Sequence, residues 1–283
     1  MNRSNRLTAT AALLYATLVL GCTRTNQADT SASPAPAAHE GLHWSYEGET
    51  GPAAWGTLSP GWTPCGSGQS QSPIDIHETM RAELPAMKRQ FLPAQLRIIH
   101  KEHVADEINN GHTIQVNYTG GDTLRIGDEA FELKQYHFHS PSEHTVGGKH
   151  YPMEMHLVHK SPAGQLAVIG VFIEEGLHNA AFDPVWANLP KTKGAETHVE
   201  NVTVDINQLL PKSTASYRYD GSLTTPPCSE GVKWIVMATP IQLSTDQVGA
   251  FRALVHGNNR PVQPLNGRAV VTDHVATVAA GSR

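Results

Sequence analysis

The chain has 283 residues, 39% of them hydrophobic and 17% charged, which is enough apolar material for one domain with a sizeable core. Its 21 basic and 26 acidic residues give a formal net charge of −5, which argues against a nucleic-acid partner or a purely electrostatic hold on a membrane. No internal repeat and no second break in composition divides the body.

At the N-terminus, Arg3 and Arg6 precede a mostly apolar, uncharged stretch from Thr8 to Leu20. A positive start and an apolar run too short to span a bilayer read as an export signal over residues 1–21. The run ends in Val19-Leu20-Gly21-Cys22, where a small residue before Cys is the pattern of a bacterial lipoprotein signal. Cys22 is then the lipidated first residue of the mature chain, and a simple secretory signal cleaved nearby is the alternative. The expected location is the cell envelope or periplasm, with membrane attachment through the lipid alone. Removing residues 1–21 takes away two arginines and no acid, leaving 19 basic against 26 acidic residues and a net charge of −7. Residues 22–40 are rich in Ala, Ser, Thr and Pro, cannot bury enough surface to offset their ordering, and read as a flexible tether. The folded domain spans 41–283, as a monomer or homodimer.

The body reads as mainly β. Alternating or β-branched runs at Thr113–Thr119, Thr123–Ile126, Phe131–His139, Met153–His159, Leu166–Ile173 and Val232–Ala238 are separated by Gly, Asn, Asp and Pro punctuation. Leu166–Ile173 is almost wholly apolar, as a strand buried on both faces is. Helical signals are few. The best are Ala181–Leu189 and Thr245–Leu254, the second opened by Ser244 and Gln247 at capping-box spacing. Beyond Cys22 two cysteines remain, Cys65 and Cys228, and in an oxidising compartment two such residues most simply pair.

The chemistry centres on Gln135-Tyr136-His137-Phe138-His139 and Glu154-Met155-His156. Side chains alternate along a strand, so His137 and His139 share one face while Tyr136 and Phe138 point the other way. A neighbouring strand can bring His156 to the same face. Three neutral imidazoles on a rigid sheet form a zinc site whose fourth position stays open for water, the arrangement of carbonic anhydrase. Gln135 shares a face with the first pair and Glu154 with His156. A ligating imidazole donates its other N–H to such a group, which makes both residues candidate orienters of the ligands. The chain has 16 histidines, so His-x-His spacing alone is weak, and ordinary strand residues are the competing reading.

Taken together, these motifs resemble the α-class carbonic anhydrases, and specifically an exported bacterial member. The resemblance runs from His43-Trp44-Ser45-Tyr46 and Gly51-Pro52-Ala53-Ala54-Trp55 through Gln69-Ser70-Gln71-Ser72-Pro73-Ile74-Asp75-Ile76 and the three histidines. It continues in Ser142-Glu143-His144-Thr145, Leu223-Thr224-Thr225-Pro226-Pro227-Cys228 and Arg260-Pro261-Val262-Gln263-Pro264-Leu265-Asn266. It implies a single domain with a large central, mostly antiparallel mixed sheet, short peripheral helices and one Zn²⁺ in a conical cavity. The implied function is that of a carbonate hydro-lyase, the reversible hydration of carbon dioxide to bicarbonate and a proton by attack of zinc-bound hydroxide. The pKa of about 7 for such a water is the value known for carbonic anhydrase itself.

The remaining roles also come from the resemblance. Thr224 orients the hydroxide and donates to the Glu143 carboxylate. His112 is the proton shuttle. Loss of a proton directly to water is limited to roughly 10²–10³ s⁻¹, whereas carbonic anhydrase turns over at about 10⁶ s⁻¹ and so needs a relay. Val158, Val168, Leu223 and Trp234 line an apolar pocket for carbon dioxide, bordered by Thr225. Val158 also falls on the face of His156 by period two. His144 is expected to hydrogen-bond rather than bind metal. Cys65 and Cys228 stand where bacterial relatives carry a disulfide. Two competing functions are a binding module of the same fold without catalysis, and a metallohydrolase of another class. The full ligand set argues against the first; against the second stand the lack of a recognisable helical His-Glu-x-x-His run and an apolar pocket better suited to a small neutral substrate.

Overall fold

The computed structural model describes residues 43–101, 113–118, 121–192 and 196–273. The export signal, the tether, Cys22 and His112 lie outside the described residues. Six strands build and flank the site: β1 (Thr113–Asn117), β2 (Glu129–His139), β3 (Met153–Lys160), β4 (Leu166–Glu175), β5 (Ser216–Ser222) and β6 (Glu230–Leu243). They lie in the order β1-β2-β3-β4-β6-β5 within a 12-stranded sheet. Ala94–Lys101 and Glu196–Val204 extend it beyond β1, and Val271–Thr272 and Met80–Arg81 extend it beyond β5. All pairings are antiparallel except β4 with β6 and Val271–Thr272 with Met80–Arg81, so the sheet is mixed and mainly antiparallel as expected. No helix among the described residues is long and apolar enough to cross a membrane.

The period of two divides the centre of this sheet cleanly. Tyr136, Phe138, Met155, Leu157, Ile169, Val171, Ile235 and Met237 face the main core, where Phe182, Val185, Val248 and Phe251 cover them. The opposite face carries the three histidines and a second apolar cluster built on Val168, Phe172, Tyr219, Trp234 and Val236. β4 packs apolar side chains on both faces, which explains its unbroken apolar sequence.

All six sequence-predicted strands form, most of them longer than their hydrophobic signal. Ser216–Ser222 is a central strand that the signals do not single out, because polar Arg218 and Asp220 alternate with its tyrosines. The expected helix at Ala181–Leu189 is broken into a 3₁₀ turn, Ala180–Phe182, and one α-turn, Asp183–Trp186. Pro184 falls in the first turn of the second piece, where its missing N–H costs no helical bond. Helix α1 (Thr245–Arg252) forms with the capping box between Ser244 and Gln247.

His159 gives this core a pH dependence. It is fully buried, stacks on Phe91 and holds the Leu157 carbonyl with Nδ1. Burial pushes its imidazole down to about 4. Above about pH 6.5 the ring is neutral in both folded and unfolded chains; below that the unfolded chain takes up a proton that the fold refuses until about pH 4. Stability therefore falls as pH drops through this window, by roughly 3 kcal/mol from this one group. Denaturant unfolding of the protein at pH 7 and pH 4.5 should show a smaller loss in His159→Leu than in the parent. Equal losses would refute the assignment.

Candidate metal centre

Register between strands, rather than spacing within them, assembles the site. One transverse row of paired residues runs Gln115, His137, His156, Gly170 across β1, β2, β3 and β4. The next runs Asn117, Gln135, Val158, Val168, Trp234, Tyr219 across to β5. Directly opposed residues share a face. Two rows of the sheet thus set polar groups on one side of the histidines and apolar ones on the other.

The three imidazoles are buried, and His137, His139 and His156 each bring a ring nitrogen within 4.8 Å of the others. Each has its other nitrogen engaged. His137 Nδ1 lies 2.7 Å from Gln135 Oε1, His139 Nδ1 lies 2.7 Å from the Asn258 carbonyl, and His156 Nε2 lies 2.9 Å from Glu154 Oε1. Since these partners are acceptors, each engaged nitrogen carries the proton. The ligand atoms left are Nε2 of His137, Nε2 of His139 and Nδ1 of His156. Gln135 and Glu154 are thus the side chains that hydrogen-bond the His137 and His156 rings. Asn258, the partner of His139, was not among the expected residues. Its backbone fixes the ring while its side chain accepts from Ser140 N at 2.8 Å and donates to the Phe138 carbonyl at 2.8 Å. No local signal marks it, 119 residues along the chain from the ring it holds.

Burial holds His139 below the usual imidazole range, against the opposing pull of Glu143, so the ring is neutral and able to ligate. Burial pushes the Glu154 carboxyl up, but His144 and His156 beside it prevail and hold it well below the usual carboxylate range. Glu143 is completely buried. Its Oε1 accepts from Arg260 N at 2.9 Å, and its Oε2 sits 3.5 Å from His139 Nε2 and 3.8 Å from His156 Nδ1. Oε2 has no hydrogen bond among the described residues, so the expected bond from Thr224 is not made in this arrangement. A buried carboxylate oxygen facing two inward-pointing imidazole nitrogens fits a cation between them. Three imidazole donors with an open side fit zinc in particular. His144, Glu154 and His156 form a second close group, but its atoms are spent on hydrogen bonds to one another, as expected of His144.

A cavity of about 210 Å³ opens beside the histidines. Val158, Val168, Leu223, Thr224, Thr225 and Trp234 all line it, together with His137, His156 and Gln135. Leu166 and Gln115 line it too and were not foreseen. Period two could have found Leu166, which leads Val168 by two residues in β4. Cys65 and Cys228 are disulfide-bonded, with Cα atoms 5.0 Å apart. The bridge packs in an aromatic cluster with Trp44, Trp55 and Trp62, just beyond the Thr224 loop.

Fold and site define a metalloprotein with a three-imidazole centre, open on one side to a small, largely apolar pocket. A family model described as eukaryotic-type carbonic anhydrase matches residues 50–274. A carbonic anhydrase of Klebsiella pneumoniae is 46% identical over 233 residues, covering 81% of this chain and 90% of that one. One from Neisseria gonorrhoeae is 41% identical over 268 residues, covering 94% and 99%. Among solved structures, the α-carbonic anhydrase of Thermovibrio ammonificans, in complex with the inhibitor sulfanilamide, superposes with a TM-score of 0.76 at 43% identity over 82% of this chain and 99% of that one. The chain belongs to the carbonic anhydrase family, in its α class, and is an enzyme of that family.

Proposed function

We propose that the chain interconverts carbon dioxide and bicarbonate at one zinc ion held by His137, His139 and His156. The observation that carries this reading is the convergence of three oriented, buried imidazoles, two of which, His137 and His156, line a largely apolar pocket. Zinc bound there supplies a Lewis acid that lowers the pKa of a ligated water to about 7, the carbonic anhydrase value, and so makes a nucleophile available at neutral pH.

The chain's own groups do the rest. Val158, Val168, Leu223 and Trp234 give an apolar substrate a surface without competing water. Thr224 would donate a hydrogen bond from its hydroxyl to the Glu143 carboxylate, whose buried Oε2 has no hydrogen bond among the described residues, leaving the threonine oxygen a lone pair with which to accept from and orient the nucleophile. Thr225 borders the same space. His112 relays the released proton to buffer, a task suited to an imidazole that titrates near neutrality. Gln135, Glu154 and the Asn258 carbonyl keep the three ligand rings in their tautomers. We place the enzyme at the cell envelope, anchored by lipid at Cys22, on the strength of the signal sequence.

Stopped-flow carbon dioxide hydration tests the reading. Zinc-loaded protein should hydrate rapidly, chelator-stripped protein should match buffer alone, and added zinc should restore the rate. In the same assay His112→Ala should be slow in dilute buffer and recover when imidazole is added. A fast rate that survives complete metal removal would overturn the proposal, and failure of imidazole to rescue would remove His112 from it.

A further inference from the structure

Glu154 is held far more completely than a single partner of His156 requires. Its Oε2 accepts from Glu143 N and His144 N at 2.9 Å each. Its Oε1 accepts from His144 Nδ1 at 2.8 Å and from His156 Nε2 at 2.9 Å. A carboxylate offers about four acceptor sites, so this one is filled, and it is completely buried.

The anchoring continues outward. His144 Nε2 lies 2.6 Å from Tyr219 Oη, Tyr219 Oη lies 2.9 Å from Ser72 Oγ, and Ser222 N donates to the same Ser72 Oγ at 3.0 Å. Every member of this chain is buried. It ties a ligand on β3 to strand β5 and to the segment around Ser72. With Tyr219 at one end and Glu154 at the other, the His144 ring has both nitrogens fixed and cannot turn.

Gly170 is the second, independent observation. It pairs with His156 across β3 and β4, inside an otherwise large-residue apolar run. A glycine there weakens a strand unless something must come close. A Cβ at this position would stand 2.9 Å from Glu154 Oε1, so the absent side chain is the space in which the carboxylate sits.

We propose that His144, Tyr219 and Gly170 are positioning residues of the metal centre. They hold Glu154 in the one orientation that leaves His156 Nδ1 aimed inward, and so set how long zinc is retained. The inference rests on His156 being a ligand. Loss of a partner hydrogen-bonded to a ligand costs about 10–100-fold in metal affinity. Tyr219 stands two links beyond that partner, so Tyr219→Phe should release zinc about tenfold faster, at the low end of the range, and Gly170→Ala, which displaces the carboxylate itself, faster still.

The test follows zinc leaving the full chain into excess chelator, alongside thermal melting of the metal-free forms. Val248→Ala, in helix α1 and buried in the main core, serves as a variant destabilised without touching the site. Faster release from Tyr219→Phe than from Val248→Ala, at equal or smaller loss of melting temperature, supports the proposal. Release from Tyr219→Phe within twofold of the parent overturns it, as does release no faster than from an equally destabilised Val248→Ala. If Gly170→Ala does not fold, Tyr219→Phe alone decides. A parent that takes up no zinc would instead overturn the metal site itself.

Discussion

Replacing His139 by alanine is expected to bring carbon dioxide hydration down to the rate in buffer alone and to strip the protein of zinc. His139 is completely buried, so no solvent ligand has ready access to the place its ring leaves. Two imidazoles and an open side remain, and zinc affinity should fall by well over the roughly 100-fold that marks the upper cost of losing an outer partner. The hydrogen bond between the ring and the Asn258 carbonyl is lost as well, at a cost of about 0.5–1.5 kcal/mol of stability. Folding should survive, because Phe138 and the main core lie on the other face of β2 and are untouched. Metal analysis, stopped-flow hydration and circular dichroism on one preparation check all three statements. A variant that binds one zinc per chain and keeps more than a tenth of the parent's rate would remove His139 from the ligand set.

Loss of the Cys65–Cys228 bridge should be the largest single loss of stability. The two residues are 163 positions apart, and closing so long a loop stabilises by about 5 kcal/mol in the chain-entropy model, with measured values usually smaller. The consequence reaches the site because both ends are anchored near it. Arg260 donates to the Cys65 carbonyl at 2.8 Å, to the Ser72 carbonyl at 2.7 Å and to Gln71 Oε1 at 2.8 Å, while Gln71 donates to the Cys228 carbonyl at 3.1 Å. The Arg260 backbone N–H in turn holds Glu143. Burial pushes the Arg260 guanidinium down to about 10, still charged at neutral pH, so loosening its cluster leaves a buried cation poorly paired. On the other side, Cys228 N donates to the Thr225 carbonyl at 2.8 Å, within the loop that carries Thr224. Cys65→Ser with Cys228→Ser should therefore unfold at markedly lower denaturant and lose activity at temperatures where it is still folded. Unfolding curves that coincide with those of the parent would show that the bridge contributes nothing.

Much of the site was legible because a strand's alternation is a local property. It assigned His137 and His139 to one face and Tyr136 and Phe138 to the core, and put Gln135 and Val158 on the ligand face. The cap of α1 was equally local, since Ser244 and Gln247 bond each other's backbone within one turn. Asn258, Arg260 and Tyr219 escaped the same reading. Each acts on a residue 75 or more positions away, and nothing in its own neighbourhood announces the partner. Gly170 lay in plain view as a small residue in an apolar strand, but its meaning needed the position of Glu154.

The sequence by itself therefore determined the β-rich class, the face on which each histidine projects and the chemistry of the ligand set, because these depend on residue type and short-range periodicity. Only the tertiary structure decided that His156 stands opposite His137, which nitrogen of each ring faces inward, and how Glu143 and Glu154 are held. Those depend on the register of β2 against β3 and on hydrogen bonds closed between distant segments, where a one-residue slip would turn every ligand to the opposite face.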